Sequence, residues 1–449
     1  EYTGSSNLAS NGTLVSGTGS AIYLNGSAIT ASPGSTNVAG VVLDGPYTGF
    51  SPLPAGMTSG TDGENAGIIT LGDSSVGIYG KNGSRISNTN TITVDNASAG
   101  LMTSGAGAFA QNSGTITVGT GSQGIYLKDG DYAQNTGNIL SAGAGTVGIY
   151  ANNASVHVTN GGNIDLSGDK SIGIYSIGTI PQNINNTGAL KIGDSVNTSD
   201  PSIGIYGAVA GSTITNSGTV TSGVRSIGMY SNGGTVNNIG ASNIGNSGVG
   251  IYSTGGVVNL NSGSAFNMGT NGAVGVYGVY SAVNNSADLN IGNSNYGFIL
   301  KGGSLTNAAG TNSSIGSDSV YMYSTENTTV TNDGTLIMSG GDNVGFYMAQ
   351  DPASGVGGAV MVNNASGIIV GTSGNNNVGI YNYGGTVDNF GTVAVGDSDI
   401  TFITGTTNVD VKNSKYSVGI YGEDAAIVNH VGANVSAGYG GYGIVAKGG

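Results

Sequence analysis

The chain has 449 residues, among them 86 glycines but no cysteine or tryptophan, and a net charge of −14 from 24 acidic and 10 basic side chains. Glycine this abundant, without a strict three-residue period, excludes collagen and argues against an ordinary enzyme domain. A charged fraction of 8% excludes a coiled coil or helical bundle. So few Lys and Arg side chains argue against nucleic acid or anionic lipid as a partner. No apolar run reaches the length of a membrane helix, so no direct membrane insertion of this segment is expected. With no Lys/Arg-led leader, no initiating Met and both ends in mid-pattern, we expect a piece of a longer protein.

The first segment, residues 1–64, reads as irregular coils with a proline-rich insertion. Its Ala21-Ile22-Tyr23 looks like an early copy of a tetrad that becomes regular later. Between Asp44 and Gly60 lie Pro46, Pro52 and Pro54 with Tyr47 and Phe50. From residue 65 to 449 the pattern is regular. Val76-Gly77-Ile78-Tyr79 recurs with its last position at Met102, Tyr126, Tyr150, Tyr175 and Tyr206, continuing through Tyr381, Ile403, Tyr421 and Val445, a mean spacing of about 24 residues.

Each repeat carries three short runs of period-2 alternation broken by Gly, Asn, Asp and Ser, which reads as strand and turn three times over, with no helical period. Three strands per 24 residues is the arithmetic of a parallel β-helix. Propeller blades are longer, and a leucine-rich repeat would show its leucine spacing. We therefore expect an all-β parallel β-helix, a solenoid with three short strands per coil. In the first strand, pairs such as Val76/Ile78, Val147/Ile149, Ile172/Ile174 and Val344/Phe346 should point inward. Gly and Tyr should then share the outer face, with the ring lying over the bare glycine.

The second strand ends in asparagine. The series is Asn88, Asn112, Asn135, Asn160, Asn186, Asn216, Asn238, Asn259, Asn285, Asn307, Asn332, Asn364, Asn389 and Asn429. A buried amide must find partners for both its donors and its acceptor. Stacked one coil apart, these side chains can bond one another, so the series reads as a structural asparagine ladder.

Chemistry is sparse. Lateral-groove enzymes on this scaffold need clustered carboxylates with a basic partner. Only Glu1, Glu64, Glu326 and Glu423 represent glutamate, and His157 and His430 fall in distant coils. Asp129-Gly130-Asp131 and Asp397-Ser398-Asp399 suggest calcium, but they lack the regular nonapeptide of calcium rolls and read as turn-capping residues. No catalytic residue, metal or cofactor is expected. What remains is three irregular segments that should project from corners: Asp44 to Gly60, Gly193 to Pro201, and Ala349 to Gly358. The candidate binding residues are Tyr47, Phe50, Asp194 and Asp351.

The half-repeats Asn216-Ser217-Gly218-Thr219-Val220 and Asn389-Phe390-Gly391-Thr392-Val393, following Ser-Val-Gly-Ile-Tyr, resemble the passenger repeats of the large fusobacterial (type V) autotransporter adhesins, the RadD-like family. The resemblance covers roughly residues 65–449. It implies a right-handed parallel β-helix, a monomeric rod on the outer membrane surface of a Gram-negative cell that binds host-cell proteins, glycans or other bacteria. No binding residue carries over, because the shared motif is scaffold. A carbohydrate-active β-helix enzyme and a pure spacer are the alternatives.

Overall fold

The computed structural model describes residues 1–32, 34–47, 57–58, 60–153, 157–197, 199–350, 355 and 358–448. Its parallel strands stack about 24 residues apart in an all-β solenoid of about 18 turns, with no helix among the described residues. It divides into two compact units, Glu1–Gly234 and Thr235–Gly449.

In the first unit a representative coil is Val76–Lys81, Arg85–Asn88 and Thr91–Val94. Each strand pairs in register with its counterpart one coil on, so that Tyr79 meets Met102, Asn88 meets Asn112 and Ile92 meets Ile116. A residue in the left-handed region starts the approach to many first strands, as at Ser74 (φ 55), Ala97 (φ 52), Lys170 (φ 57) and Arg225 (φ 58). Such a residue turns the chain sharply through the corner. Ile78, Ile86 and Ile92, one from each strand, are fully buried. Burying a side chain of this size contributes about 1.5–3 kcal/mol before conformational entropy is counted.

Stacking already begins in the segment read as irregular. Thr13–Thr18 pairs with Ala39–Asp44, and that strand with Val76–Lys81. Tyr23 is not an early copy of the tetrad tyrosine. It stands on a second strand opposite Glu64, and the residue aligned with Tyr79 is Val42.

The first strand departs from its expected alternation. In most of these apolar pairs only the second member is in the core, although Ile203 and Val418 are buried along with Ile205 and Ile420. Ile78, Ile149, Ile174 and Phe346 are buried, whereas Val76, Val147, Ile172 and Val344 are half-buried. Glycine does not lie under the tyrosine ring; it faces inward. A Cβ on Gly77 would sit 2.5 Å from the Gly100 carbonyl oxygen and 2.8 Å from Ile92 Cγ2. The same pair of neighbours recurs at Gly148, with Gly173 O at 2.5 Å and Ile164 Cγ2 at 2.8 Å. Glycine is therefore required because the next coil's carbonyl oxygen and the third strand's apolar side chain together occupy the space a side chain would need.

The second unit repeats this plan from Val249–Thr254, Val257–Leu260 and Ala265–Met268 onward. In three of its coils the first and second strands run together, as Val274–Asn285, Tyr296–Asn307 and Val320–Asn332. These are turned at the left-handed residues Tyr280, Gly302 and Glu326. The core there contains Phe298, Tyr321 and Phe346, each fully buried. Tyr321 takes the glycine place in Val320-Tyr321-Met322-Tyr323, and its ring packs edge-on between Phe298 and Phe346 at 5.3 and 5.5 Å.

One member of the tyrosine series is displaced. Tyr381 pairs directly with Tyr421, and Ile403 lies instead on an excursion between them, where Asp399 bridges Lys415 and Phe402 bridges Val409 in antiparallel sense.

Candidate functional site

The inner asparagines form a directed chain of hydrogen bonds. In the first unit Asn65, Asn88, Asn112, Asn135 and Asn160 each donate from Nδ2 to the Oδ1 one coil on at 2.8 Å, and Asn186 donates likewise to Asn216. The same amides also donate to carbonyls of the adjoining turn, as from Asn88 to Asn90 O at 3.1 Å. In the second unit Asn285, Asn307, Asn332, Asn363 and Asn389 continue the pattern and end on Asn429. Asn238 is buried and donates to Gly240 O at 3.2 Å.

Two assigned rungs are not in this column. Asn238 pairs with Leu260, while Asn259 is opposite Asn237 on the outer face, where its Nδ2 donates to Asn237 Oδ1 and its Oδ1 accepts from Asn284 Nδ2. Asn364 stands one residue past the rung held by Asn363 and donates to Asp333 Oδ1 at 2.9 Å. Asn65 is a rung the sequence reading missed. Every repeated rung is committed to the scaffold, since a buried amide left without its partner would cost about 1–3 kcal/mol.

A second inner polar column was also missed. The residue just before the tetrad accepts a backbone N–H from the coil before it. Ser75 N donates to Ser98 Oγ at 2.9 Å and Ser98 N to Ser122 Oγ at 3.0 Å. In the second unit Asn343 and Asn377 take the serine's place, accepting from Ser319 N and Asn343 N at 3.1 Å. The serine was visible in the repeat, but nothing in the sequence alone pointed its hydroxyl inward.

The tyrosines form an outer, half-buried strip. Most of their rings stack face to face, with centroids 5.0 Å apart for Tyr126 and Tyr150, 4.8 Å for Tyr206 and Tyr230, and 4.5 Å for Tyr347 and Tyr381, while Tyr175 is tilted against both Tyr150 and Tyr206. The stacked faces are thus turned on each other rather than toward solvent. Tyr381 donates to Glu423 Oε2 at 3.2 Å, and Lys447 holds the other carboxylate oxygen at 2.6 Å. Burial within the stack, Tyr347 and the Glu423 carboxylate hold the Tyr381 phenol well above its ordinary range, and the Lys447 ammonium lowers the Glu423 carboxyl.

Of the candidate binding residues, Phe50 and Asp351 lie outside the described residues. Tyr47 is half-buried, and its backbone N–H donates to Asp62 Oδ1 at 2.9 Å. Asp62 is fully buried and is gripped by Arg85 through Nη2 at 2.9 Å and Nε at 3.2 Å. Asp194 is exposed, and its Oδ1 accepts Val224 N at 2.7 Å as a turn cap. Tyr47 follows a first strand and Asp194 a third, so the fold places them at different corners and does not bring them together.

The excursion after Val395 was not identified from the sequence. It exposes Phe402 (47%), Ile403 (48%), Val409 (41%) and Val411 (68%), the residue types that the coils bury. The missing glycine in Thr401-Phe402-Ile403 was the available signal. Asp397, at its base, accepts Tyr439 N through Oδ1 at 2.6 Å, which is a turn-capping bond. Among the described residues no three His, Asp or Glu side chains gather closely enough to hold a metal ion. Compared with known proteins, the chain matches no family model, no curated protein and no solved structure.

Proposed function

We propose that the chain is a segment of a surface-displayed adhesin of a Gram-negative bacterium, a passenger of the autotransporter kind. In this reading the solenoid is a stalk, and its corner excursions meet a host-cell protein, a host glycan or a partner bacterium. The observation that carries the reading is the excursion around Phe402 and Val409, which exposes Phe402, Ile403, Val409 and Val411 on one element. Exposed apolar side chains grouped on one element mark interaction surfaces. The absence of cysteine suits export of an unfolded chain through a pore, and coils that contact mainly their neighbours can fold one after another as they emerge.

The test is binding of the purified chain to panels of host cells and bacteria, alongside variants in which residues 397–416 or 45–62 are replaced by a short turn. Saturable binding, weakened about ten-fold or more by one of these replacements, supports the adhesin. Turnover of a polyuronate would identify an enzyme instead, and silence in both assays a spacer.

A further inference from the structure

We infer that the corner at Phe390 is a subsite for a neutral hexopyranose, a reading that rests on the adhesin function proposed above and names one of its ligands. The residue after each asparagine rung is usually small or polar, as at Thr89, Ser113, Thr136, Thr187 and Ser217. Phe390 places a ring there and leaves it 41% exposed, so the coil does not need it for its core. One face of the ring is covered by the His430 imidazole, with centroids 3.7 Å apart and planes within 9°. His430 is in turn held by Asp388 through Nε2 at 3.1 Å.

On the side of the preceding coils, Phe390 borders a recess of about 490 Å³ shared with Asp333, Asn364, Ala365 and Ser366. The turn at Asn364 is longer than those at Asp333 and Phe390 and forms one wall. Asp333 Oδ1 accepts from Asn364 Nδ2 at 2.9 Å and Ser366 Oγ at 3.2 Å, which fixes the carboxylate. Among the described residues no donor reaches its Oδ2. An aromatic face beside a fixed carboxylate and an amide is complementary to a sugar, whose C–H face packs on the ring while its hydroxyls donate to the carboxylate and accept from the amide. Asp333, Asp388 and the net charge of −14 oppose an acidic sugar.

The experiment titrates the whole chain with the methyl glycosides of galactose, glucose and N-acetylglucosamine, using saturation-transfer NMR to ~10 mM, a range suited to single-sugar affinities. Glucuronic acid is the acidic control. At least one neutral sugar should bind, about ten-fold more weakly to Phe390→Ala and little changed in Phe390→Tyr. Asp333→Asn should weaken binding several-fold, with circular dichroism unchanged in all three variants. The inference is overturned if no neutral sugar binds, if Phe390→Ala binds as well as the parent, or if glucuronic acid is preferred. Cell attachment measured on the same proteins separates the two readings. Attachment that persists without any sugar binding sinks the subsite and leaves the adhesin standing, whereas loss of both removes both.

Discussion

Tyr321 Oη lies 3.4 Å from Ser313 Oγ, and the two residues are a matched exception to the repeat. Tyr321 occupies the inward place that is glycine in most coils, and Ser313 the third-strand place that is Ile or Leu in most coils; both are fully buried. A large side chain has entered the core from one strand as a small one replaced its neighbour. Ser313→Leu alone should destabilise the protein by about 1–3 kcal/mol through overpacking, and Tyr321→Gly alone by about 3–5 kcal/mol through the void it leaves. In the double variant the effects should fall short of their sum by at least ~1 kcal/mol. Urea unfolding of the four proteins checks this, and simple additivity would contradict it.

The same tyrosine predicts behaviour in alkali. Burial pushes the Tyr321 phenol up to about 12, whereas an unfolded tyrosine ionises near 10. Its raised value means the unfolded chain releases the proton first, so stability is unaffected below pH 10 and falls as pH rises from 10 toward 12. Tyr321→Phe should be slightly less stable than the parent at neutral pH, having lost the bond to Asn307 Oδ1 at 3.1 Å. The difference should narrow or reverse by pH 12, as read from unfolding midpoints across the range.

Asn135 receives one ladder bond and gives another, both at 2.8 Å. Asn135→Ala should cost about 1–3 kcal/mol. Asn135→Asp should cost more at neutral pH, because a buried carboxylate has no proton to give Asn160 Oδ1. Recovery of the aspartate variant on mild acidification, seen in its thermal midpoint, would check this reasoning.

Gly148→Ala should destabilise by about 1–3 kcal/mol. Removing the Ile164 Cγ2 that it meets, in Gly148→Ala with Ile164→Ala, should recover only part of the Gly148→Ala cost when measured against Ile164→Ala alone, since the Gly173 carbonyl at 2.5 Å is backbone and cannot retreat. Full rescue in calorimetry would mean the glycine is required for the side-chain clash alone.

The solenoid was legible because its strands are short, alternate with period two and are broken by the same residues every turn. The inner asparagines were legible for the same reason. Registers were not, wherever two candidates lay side by side. Asn363 and Asn364 differ by one residue, which in a strand means opposite faces, and in Val257-Val258-Asn259-Leu260 the asparagine arrives one place early. The inward glycine was hidden because alternation alone assigns it to tyrosine's side, and only Tyr321, read as an exception, betrays its direction. The excursion passed for a coil because Thr401-Phe402-Ile403 imitates the tetrad. For the candidate site the sequence located proline-bearing insertions but not what they do: Tyr47 and Asp194 each serve the backbone of a turn. The Phe390 recess depends on turn lengths in successive coils, which only stacking brings together.

Because the chain has no cysteine, a pair of nitroxide labels can be placed without background. Thr93, Thr117, Leu140, Asp165, Lys191 and Thr221 lie in one register column of the first unit, one residue per coil. Electron–electron double resonance between labels at residues 93 and 221 should give one narrow distance near 24 Å. Moving the second label back to residue 191 should shorten it by about 4.8 Å, the spacing of one strand. A broad distribution, or a distance indifferent to that single-coil step, would contradict the stacked solenoid on which every assignment here depends.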